Sequence, residues 1–406
     1  MIKIDEKKNC TGCHACASIC TADCIEMRED EEGFLYPSVD FTNCTKCGRC
    51  VSVCPIIEKR EPIKTEQFGW VGRHINPEIR KQSTSGGVFT ALAQSVISMD
   101  GLVFGAAFTE GGNHYVCHRA AENECKLEMF RNSKYVQSVV GNTYKQAKKA
   151  LVEGQSVCFS GTPCQIAGLK SFLGKDHPKL FLVDIVCRAV PSPLVLRKFI
   201  DVSESRFQKK VQRVVFRDKW KYGYQYSSLA LYDNTNKKPF SSEGIDTSPM
   251  LRAFFSGICN RPSCHSCRFK SRYRESDITI WDCFSPKRFC DSFDDNTGAT
   301  RILVHTERGR SWLEAASGLL ELAETSAEAL LCIEAKEMFN STPVNPRRSE
   351  FVSDLSSLES KALFDKYFAI TWKQRLEYIV RDIAFKSGSY RLLLRFYHKV
   401  FGRKKR

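Results

Sequence analysis

Apolar runs and polar breaks divide the chain into stretches with different rhythms. In the first sixty residues apolar positions are scattered between cysteines, and "REDEEGFLYPSVDFTN" sets a polar, glycine-containing turn ahead of an apolar segment, which predicts a hairpin. From Phe68 to about Glu321 short apolar runs alternate with helical periodicity. There "GLVFGAAF" predicts a strand with small interior residues, and "SVCFSGTPCQIAGLKSFL" a strand, a turn and an amphipathic helix. "KLFLVDIVC" and "DITIW" predict two further strands. The alternation implies a mixed α/β or α+β domain. Beyond Leu331 the pattern becomes helical and basic, with two helices broken near Ser387 and Gly388. The charged, proline-containing "EKREPIKTEQ" reads as a linker. The expected division is 1–60, 66–150, 151–330 and a helical tail over 331–406.

Composition narrows the class. With 406 residues and 42% hydrophobic content the chain can bury at least one large core. Its 20 cysteines fit either a disulfide scaffold or thiolate ligands in a reducing compartment. The opening "MIKIDEKKNC" has no apolar leader, and no run approaches the roughly 18 apolar residues of a membrane helix. The expectation is a cytoplasmic protein with metal-binding cysteines. The formal charge of +15 is uneven, because residues 361–406 hold 13 Lys/Arg against 3 Asp/Glu. The rest of the surface is ordinary, so nucleic acid is not an expected partner. In the last predicted helix Arg391, Arg395 and Lys399 share one face while Leu394, Tyr397 and Phe401 share another. Such a helix can make peripheral contact with the inner membrane face or fold back on its own domain.

The cysteines carry the strongest signal. Cys10, Cys13, Cys16 and Cys20 follow C-x2-C-x2-C-x3-C, and Cys44, Cys47, Cys50 and Cys54 repeat it, with Pro55 after the last. In this bacterial ferredoxin pattern three closely spaced thiolates wrap one face of a 4Fe-4S cluster, and the fourth comes from the other half. The expected sets are Cys10, Cys13, Cys16 with Cys54, and Cys44, Cys47, Cys50 with Cys20. Zinc does not call for this cadence twice. Gly12 and Gly48 suit a backbone curled about the iron. Cys24 is left over and reads as a buried inert thiol. Downstream, Cys259, Cys264 and Cys267 leave a metal site one ligand short, which Cys164 or Cys187 can complete. A third 4Fe-4S cluster is the expected occupant, zinc the rival, and Cys283 and Cys290 are further candidates.

Two turns suit anions. Ser85, Gly86 and Gly87 precede one predicted helix, and Ser160, Gly161 and Thr162 precede another with Pro163 in its first turn. Free N–H groups there favour phosphate, and glycine admits a pyrophosphate closely; the plain alternative is a helix cap with glycine for packing. The chain has no G-x-G-x-x-G dinucleotide fingerprint. Arg217, Lys219 and Lys221, with Trp220 and Tyr222, form either a patch for an anionic substrate or a solvated strand edge. His114, His118 and His265 read as surface or packing residues.

The blocks "STSGGVFTALA", "SKYVQS", "FSGTPCQIAGL", "DIVCRAVPSP", "FRDKW", "RPSCHSCRFK" with "SDITI", "FDDNTGATRILVHTERG" and "NPRR" occur in this order. In them the chain resembles the beta subunit family of coenzyme F-420 hydrogenases and dehydrogenases, in the form fused to an N-terminal two-cluster ferredoxin domain. The resemblance implies a ferredoxin domain followed by a flavoprotein-like α/β domain, with FAD joining the single-electron clusters to hydride chemistry. Some relatives act on the deazaflavin coenzyme F-420 and others on chlorophyll precursors. Ferredoxin-fused members are also similar to proteins found among polysaccharide-synthesis genes. The implied partners are a ferredoxin-like or other redox protein and a small-molecule substrate or coenzyme. The alternative is a non-catalytic subunit that delivers electrons to a partner enzyme. Gly86, Gly87, Gly161 and Thr162 would anchor FAD or substrate phosphates, and Lys134, Tyr135 and Asp184 are candidate proton donors. The chain departs from the family pattern at Trp281, Asp282, Cys283 and Phe284, where a glycine-containing segment is usual. It departs again at Cys187, Arg188 and Ala189, where Cys-His-Gly is usual.

Overall fold

The computed structural model describes residues 1–58, 60, 64–109, 115–226 and 228–390. His114 and the last predicted helix, with Arg391, Leu394, Arg395, Tyr397, Lys399 and Phe401, lie outside the described residues.

Local signals build the N-terminal domain. Strand β1 (Ile25–Glu29) pairs antiparallel with β2 (Leu35–Val39), and the tip turns through Gly33 at φ +85°. Each cysteine run ends in a short helix, Ala15–Ile19 or Arg49–Ser52, entered through His14 or Gly48 at positive φ.

One eight-stranded sheet organises the body, in the order β13-β3-β12-β11-β7-β6-β4-β5. Its strands are β3 (Phe68–His74), β4 (Leu102–Phe108), β5 (Val116–Ala121), β6 (Val157–Gly161), β7 (Leu180–Ile185), β11 (Ile278–Cys283), β12 (Ala299–Val304) and β13 (Leu320–Ser326). Neighbours β4, β6, β7 and β11 are parallel. Strand β12 runs antiparallel to both β11 and β3, so β3 shares the common direction. Five carboxyl ends therefore open on one edge, the side where α/β sheets hold ligands.

Alternating residues supply the two faces. Val103, Cys158 and Val183 join the helices Val88–Ile97 and Glu307–Ala315 on one side. Phe104, Phe159 and Leu182 join Thr143–Val152 and Pro163–Leu173 on the other, and Ala15 and Ile19 of the N-terminal domain complete that core. A smaller antiparallel sheet, β10-β9-β8, is built from β8 (Arg213–Val215), β9 (Ser228–Tyr232) and β10 (Ser241–Gly244). It shares a core with the helices Pro193–Phe207 and Pro249–Ser256.

Two expected boundaries shift. Strands from 66–150 and 151–330 share one sheet, so these parts form one body. The expected tail begins later than residue 331, because Phe351, Leu355, Leu363 and Phe364 are buried with Val195, Phe199 and Met250. The first tail helix is also two, Ser360–Phe368 and Trp372–Lys386. Thr371 divides them: its N–H donates to Gln374 Oε1 at 2.9 Å, and the Gln374 N–H donates to Thr371 Oγ1 at 3.3 Å, a capping box. Among the described residues no helix is long and apolar enough to cross a membrane.

Candidate functional site

Two strand ends and one turn bring four thiols to one place. After β6, Thr162 leads into a helix with Pro163 at its first position and Cys164 directly behind it. Cys187 follows the end of β7, while Cys264 and Cys267 come from the turn around Pro262–Ser266. Together they line a single pocket, with Lys270 and Arg274 among its walls. Burial pushes the Cys187 thiol up to about 12 and Cys264 to about 11, and Cys164 well above the ordinary value; the neighbouring thiols add to each shift. Such groups stay neutral until a cation compensates the thiolates. The nearby ammonium and guanidinium groups suit a cluster that carries net negative charge with its ligands.

Cys259 does not join them. It is buried in the apolar core with Val195 and Leu251, and its carbonyl accepts the Ser192 N–H at 2.9 Å. Its neighbour Asn260 bridges to Pro191, and Cys259 is not among the residues that line the pocket, whereas Cys164 and Cys187 both are. Cys283 lies in a different apolar cluster, with Cys290 packed against it.

In the N-terminal domain Cys10, Cys13, Cys16 and Cys54 face one another. Burial first, and then Cys10 and Cys54, push the Cys13 thiol up to about 12. Cys16 is raised by burial and by Cys13, Cys10 and Cys54. In the other half Cys47 is exposed and Cys50 Sγ accepts the Ile2 N–H at 3.1 Å. Cys24 is buried as expected, yet its sulfur is 3.4 Å from Cys20 Sγ.

The inner half-site and the pocket share walls. A Cβ on Gly168, in the helix that begins beside Cys164, would meet Cys13 Cβ at 2.9 Å and Sγ at 3.1 Å. Arg261 is fully buried between them. Its guanidinium donates to Cys10 O at 2.8 Å, Leu35 O at 3.0 Å and Gln137 Oε1 at 2.8 Å, and Nη2 lies 3.6 Å from Cys10 Sγ. Its own carbonyl accepts the Cys264 N–H at 2.9 Å. One residue thus touches the backbone of both thiol sets. Sequence reasoning missed Arg261 and Gln137, since neither type signals burial.

In the two expected anion turns several polar groups have partners within the fold. Thr162 N–H donates to Gln165 Oε1 at 3.0 Å, its hydroxyl is 3.1 Å from Cys164 Sγ, and Ser160 Oγ donates to Phe104 O at 3.1 Å. With its neighbour Gly161, this turn leads directly to Cys164 at the pocket. At the other turn Gly86 N–H donates to Thr300 Oγ1 at 2.9 Å, and Ser85 Oγ meets the same hydroxyl at 2.7 Å. A Cβ on Gly86 would lie 2.6 Å from Gly72 O, so this glycine serves close packing. Gly87 enters the next helix at φ +81°.

Around that loop, however, donors exceed acceptors. Lys219 Nζ donates to the carbonyls of Arg80, Ser85 and Thr297 at 2.6–2.8 Å, and burial, then Arg217, lowers it to about 7. Arg217 pairs with Asp282 at 2.9 Å, Tyr224 OH donates to the same carboxylate at 3.1 Å, and Phe284 stacks on Tyr224 at 5.3 Å. Arg80 Nε, Arg131 Nε and Arg217 Nη2 are buried and have no partner among the described residues. Orphan donors on cations suit an anionic group such as a dinucleotide pyrophosphate; the loop fits through side chains, not through its glycine amides. Asp282 and Phe284, from the segment that departs from the family pattern, belong to this cluster.

The proton-donor candidates separate. Lys134 Nζ donates to the carbonyls of Met129 and Arg131 at 2.9 Å, and burial lowers it to about 7. Tyr135 stacks on Phe254 at 4.9 Å with its hydroxyl 3.5 Å from Arg217 Nη1, nearest to the cation cluster. Asp184 is sealed in the sheet against Arg274 at 3.3 Å and accepts the Thr279 hydroxyl at 2.5 Å; burial raises its pKa against the pull of Arg274. Its partner Arg274 is a pocket wall, which makes Asp184 a support for that wall. His118 is buried, with Nε2 3.0 Å from Ser160 O, and His265 Nδ1 is 3.0 Å from Thr342 O.

Known proteins share these two regions. Residues 154–328 match the C terminus of the coenzyme F420 hydrogenase/dehydrogenase beta subunit, and residues 9–56 match the 4Fe-4S dicluster domain. No curated protein matches the chain. Among solved structures, a chain from the xenon-derivatised F420-reducing NiFe hydrogenase complex of Methanosarcina barkeri is similar at 15% identity and a TM-score of 0.45. The alignment covers 77% of this chain and 95% of that one.

Proposed function

We propose that this chain, whose residues 154–328 belong to the coenzyme F420 hydrogenase/dehydrogenase beta-subunit family and whose residues 9–56 form a 4Fe-4S dicluster domain, is an iron–sulfur flavoprotein oxidoreductase with three clusters. The observation that carries the reading is the convergence of Cys164, Cys187, Cys264 and Cys267 on one pocket, whose helix from Pro163 packs against Cys13 further along at Gly168. Those four would hold the third cluster, beside the inner set Cys10, Cys13, Cys16 and Cys54 and the outer set Cys44, Cys47, Cys50 and Cys20. Ser85, Arg80, Arg131 and Arg217 would hold the pyrophosphate of FAD. Bound there, a flavin supplies the change from single electrons to hydride transfer. The chain's own part is to keep the thiol sets dry, to place cations against them, and to offer Tyr135 as a proton-bearing group beside Arg217. The substrate is a small molecule or coenzyme of the F-420 kind, and a redox protein meets the outer half-site.

A second reading, an electron-delivery subunit without flavin, is favoured by the packed Gly86 amide and by the aromatic and ionic filling at Asp282 and Phe284. Iron and flavin per chain on anaerobically purified protein separate the two. About twelve irons with one FAD supports the first, and about eight irons without flavin overturns it, since each cubane holds four. Cys264→Ser should remove about four irons, whereas Cys259→Ser should remove none.

A further inference from the structure

The helix Trp372–Lys386 is amphipathic in both directions. Its inner face is tied to the body: Lys221 Nζ meets Tyr378 OH at 3.2 Å and also pairs with Asp382, Arg381 pairs with Asp246 at 3.0 Å, and Phe385 packs on Tyr222 at 4.4 Å. Its outer face carries Trp372, Leu376, Ile379, Val380 and Ile383, exposed by 70, 53, 52, 41 and 60%. These positions recur at helical spacing, so they form one apolar stripe roughly opposite the anchored face. Exposed Arg375 and Lys386 border the stripe on one side, Lys386 also pairing with Asp382 at 2.9 Å, and Lys373 borders it on the other, with exposed Glu377 one turn on. The sixteen residues from Arg391 to Arg406 then add seven Lys/Arg and no Asp/Glu.

We infer that this helix lies on an anionic lipid bilayer, with the stripe in the headgroup–acyl boundary and its basic borders at the lipid phosphates. An apolar stripe with cationic edges and a terminal tryptophan is what an interfacial helix requires. A second copy of the chain fits worse, because a two-fold contact along this stripe would set one basic border against another. Nucleic acid would use the cations but not the apolar stripe. The contact does not depend on the redox reading above. It does set an orientation, because Lys221 and Tyr222, which anchor the helix, belong to the segment that supplies Arg217 and Lys219 to the donor-rich cluster.

The test is flotation of the full iron-loaded chain with phosphatidylglycerol-containing vesicles, with pure phosphatidylcholine vesicles and an oligonucleotide as comparators. Binding to the anionic vesicles alone is expected. Replacing Lys373, Arg375 and Lys386 together by Gln should weaken partition roughly a hundredfold, at about a factor of five per cation. Trp372→Ser with Ile379→Ser should abolish flotation while iron content stays unchanged, which excludes misfolding. Three results would overturn the inference: no flotation of the parent chain, flotation untouched by the double serine variant, or a dimer in solution that the same variant dissociates.

Discussion

The two cysteine runs of the N-terminal domain share a spacing but not an environment. Gly12 and Gly48 adopt similar left-handed conformations, at φ +67° and +77°. A Cβ on Gly12 would meet Gln137 Nε2 at 2.6 Å and Arg261 Nη1 at 2.8 Å, while one on Gly48 would meet nothing within 4 Å. The inner half-site is sealed against the body, and the outer one keeps Cys47 at the surface. The local motif specifies what each half can bind; the surroundings decide whether it faces a partner or a wire.

Substitutions that tell the halves apart test this difference. The largest effect belongs to Arg261→Met, which leaves Cys10 O, Leu35 O and Gln137 Oε1 without their charged donor and should cost at least about 3 kcal/mol. The same change at exposed Arg49 should stay within about 0.5 kcal/mol. Where the variant still assembles, the inner cluster should also titrate at a lower midpoint by electron paramagnetic resonance; equal shifts in both halves would break the comparison. Next, Gly12→Ala and Gly48→Ala share the left-handed strain, but only the first adds overpacking of about 1–3 kcal/mol, readable as a difference in apparent unfolding midpoint.

A pH scan gives a reference outside both halves. Lys134 titrates near 7 in the fold, against 10.5 for the ordinary amine, because burial disfavours its charge. Between those values the unfolded chain holds the extra proton, so stability rises with pH across the window and the cost is complete below 7. Lys134→Met should flatten that rise, by up to about 1.4 kcal/mol per pH unit, in denaturation curves. The smallest effect is expected beside the outer half. Lys145→Ala removes a solvent-exposed 3.2 Å pair with Asp23 and should change stability by under about 1 kcal/mol.

Spacing along the chain conveyed what short segments enforce. The ferredoxin cadence, the hairpin through Gly33 and the strands at 102–108, 157–161 and 180–185 were all legible, because each is fixed within a few residues. The pseudo-symmetry of the repeat pointed to Cys54 as the partner of the first run, and Cys54 does lie near Cys13 and Cys16. The pocket was only half legible. Cys264 and Cys267 are neighbours in sequence, but Cys164 and Cys187 reach them only because β6 and β7 lie side by side, and Cys259 lies in the apolar core instead. At Ser160–Thr162 a small-residue approach to a helix suits a phosphate loop and the placing of Cys164 at the pocket equally well, so the sequence did not separate the two. Arg261 was invisible because a cation between Asn260 and Pro262 ordinarily reads as surface.

The contact between Arg261 and Cys10 has a further consequence for how the molecule is made. The partners are separated by 251 positions. During synthesis the chain emerges N-terminus first, and all nine cysteines of the opening domain have left the ribosome well before residue 261 is added. The outer half has what it needs at that moment. The inner half waits for Gln137, Gly168 and finally Arg261 before its sheath closes, a delay imposed by long-range topology. The first thiols to appear are thus among the last to be enclosed, and the machinery that inserts iron meets an open inner site for most of translation.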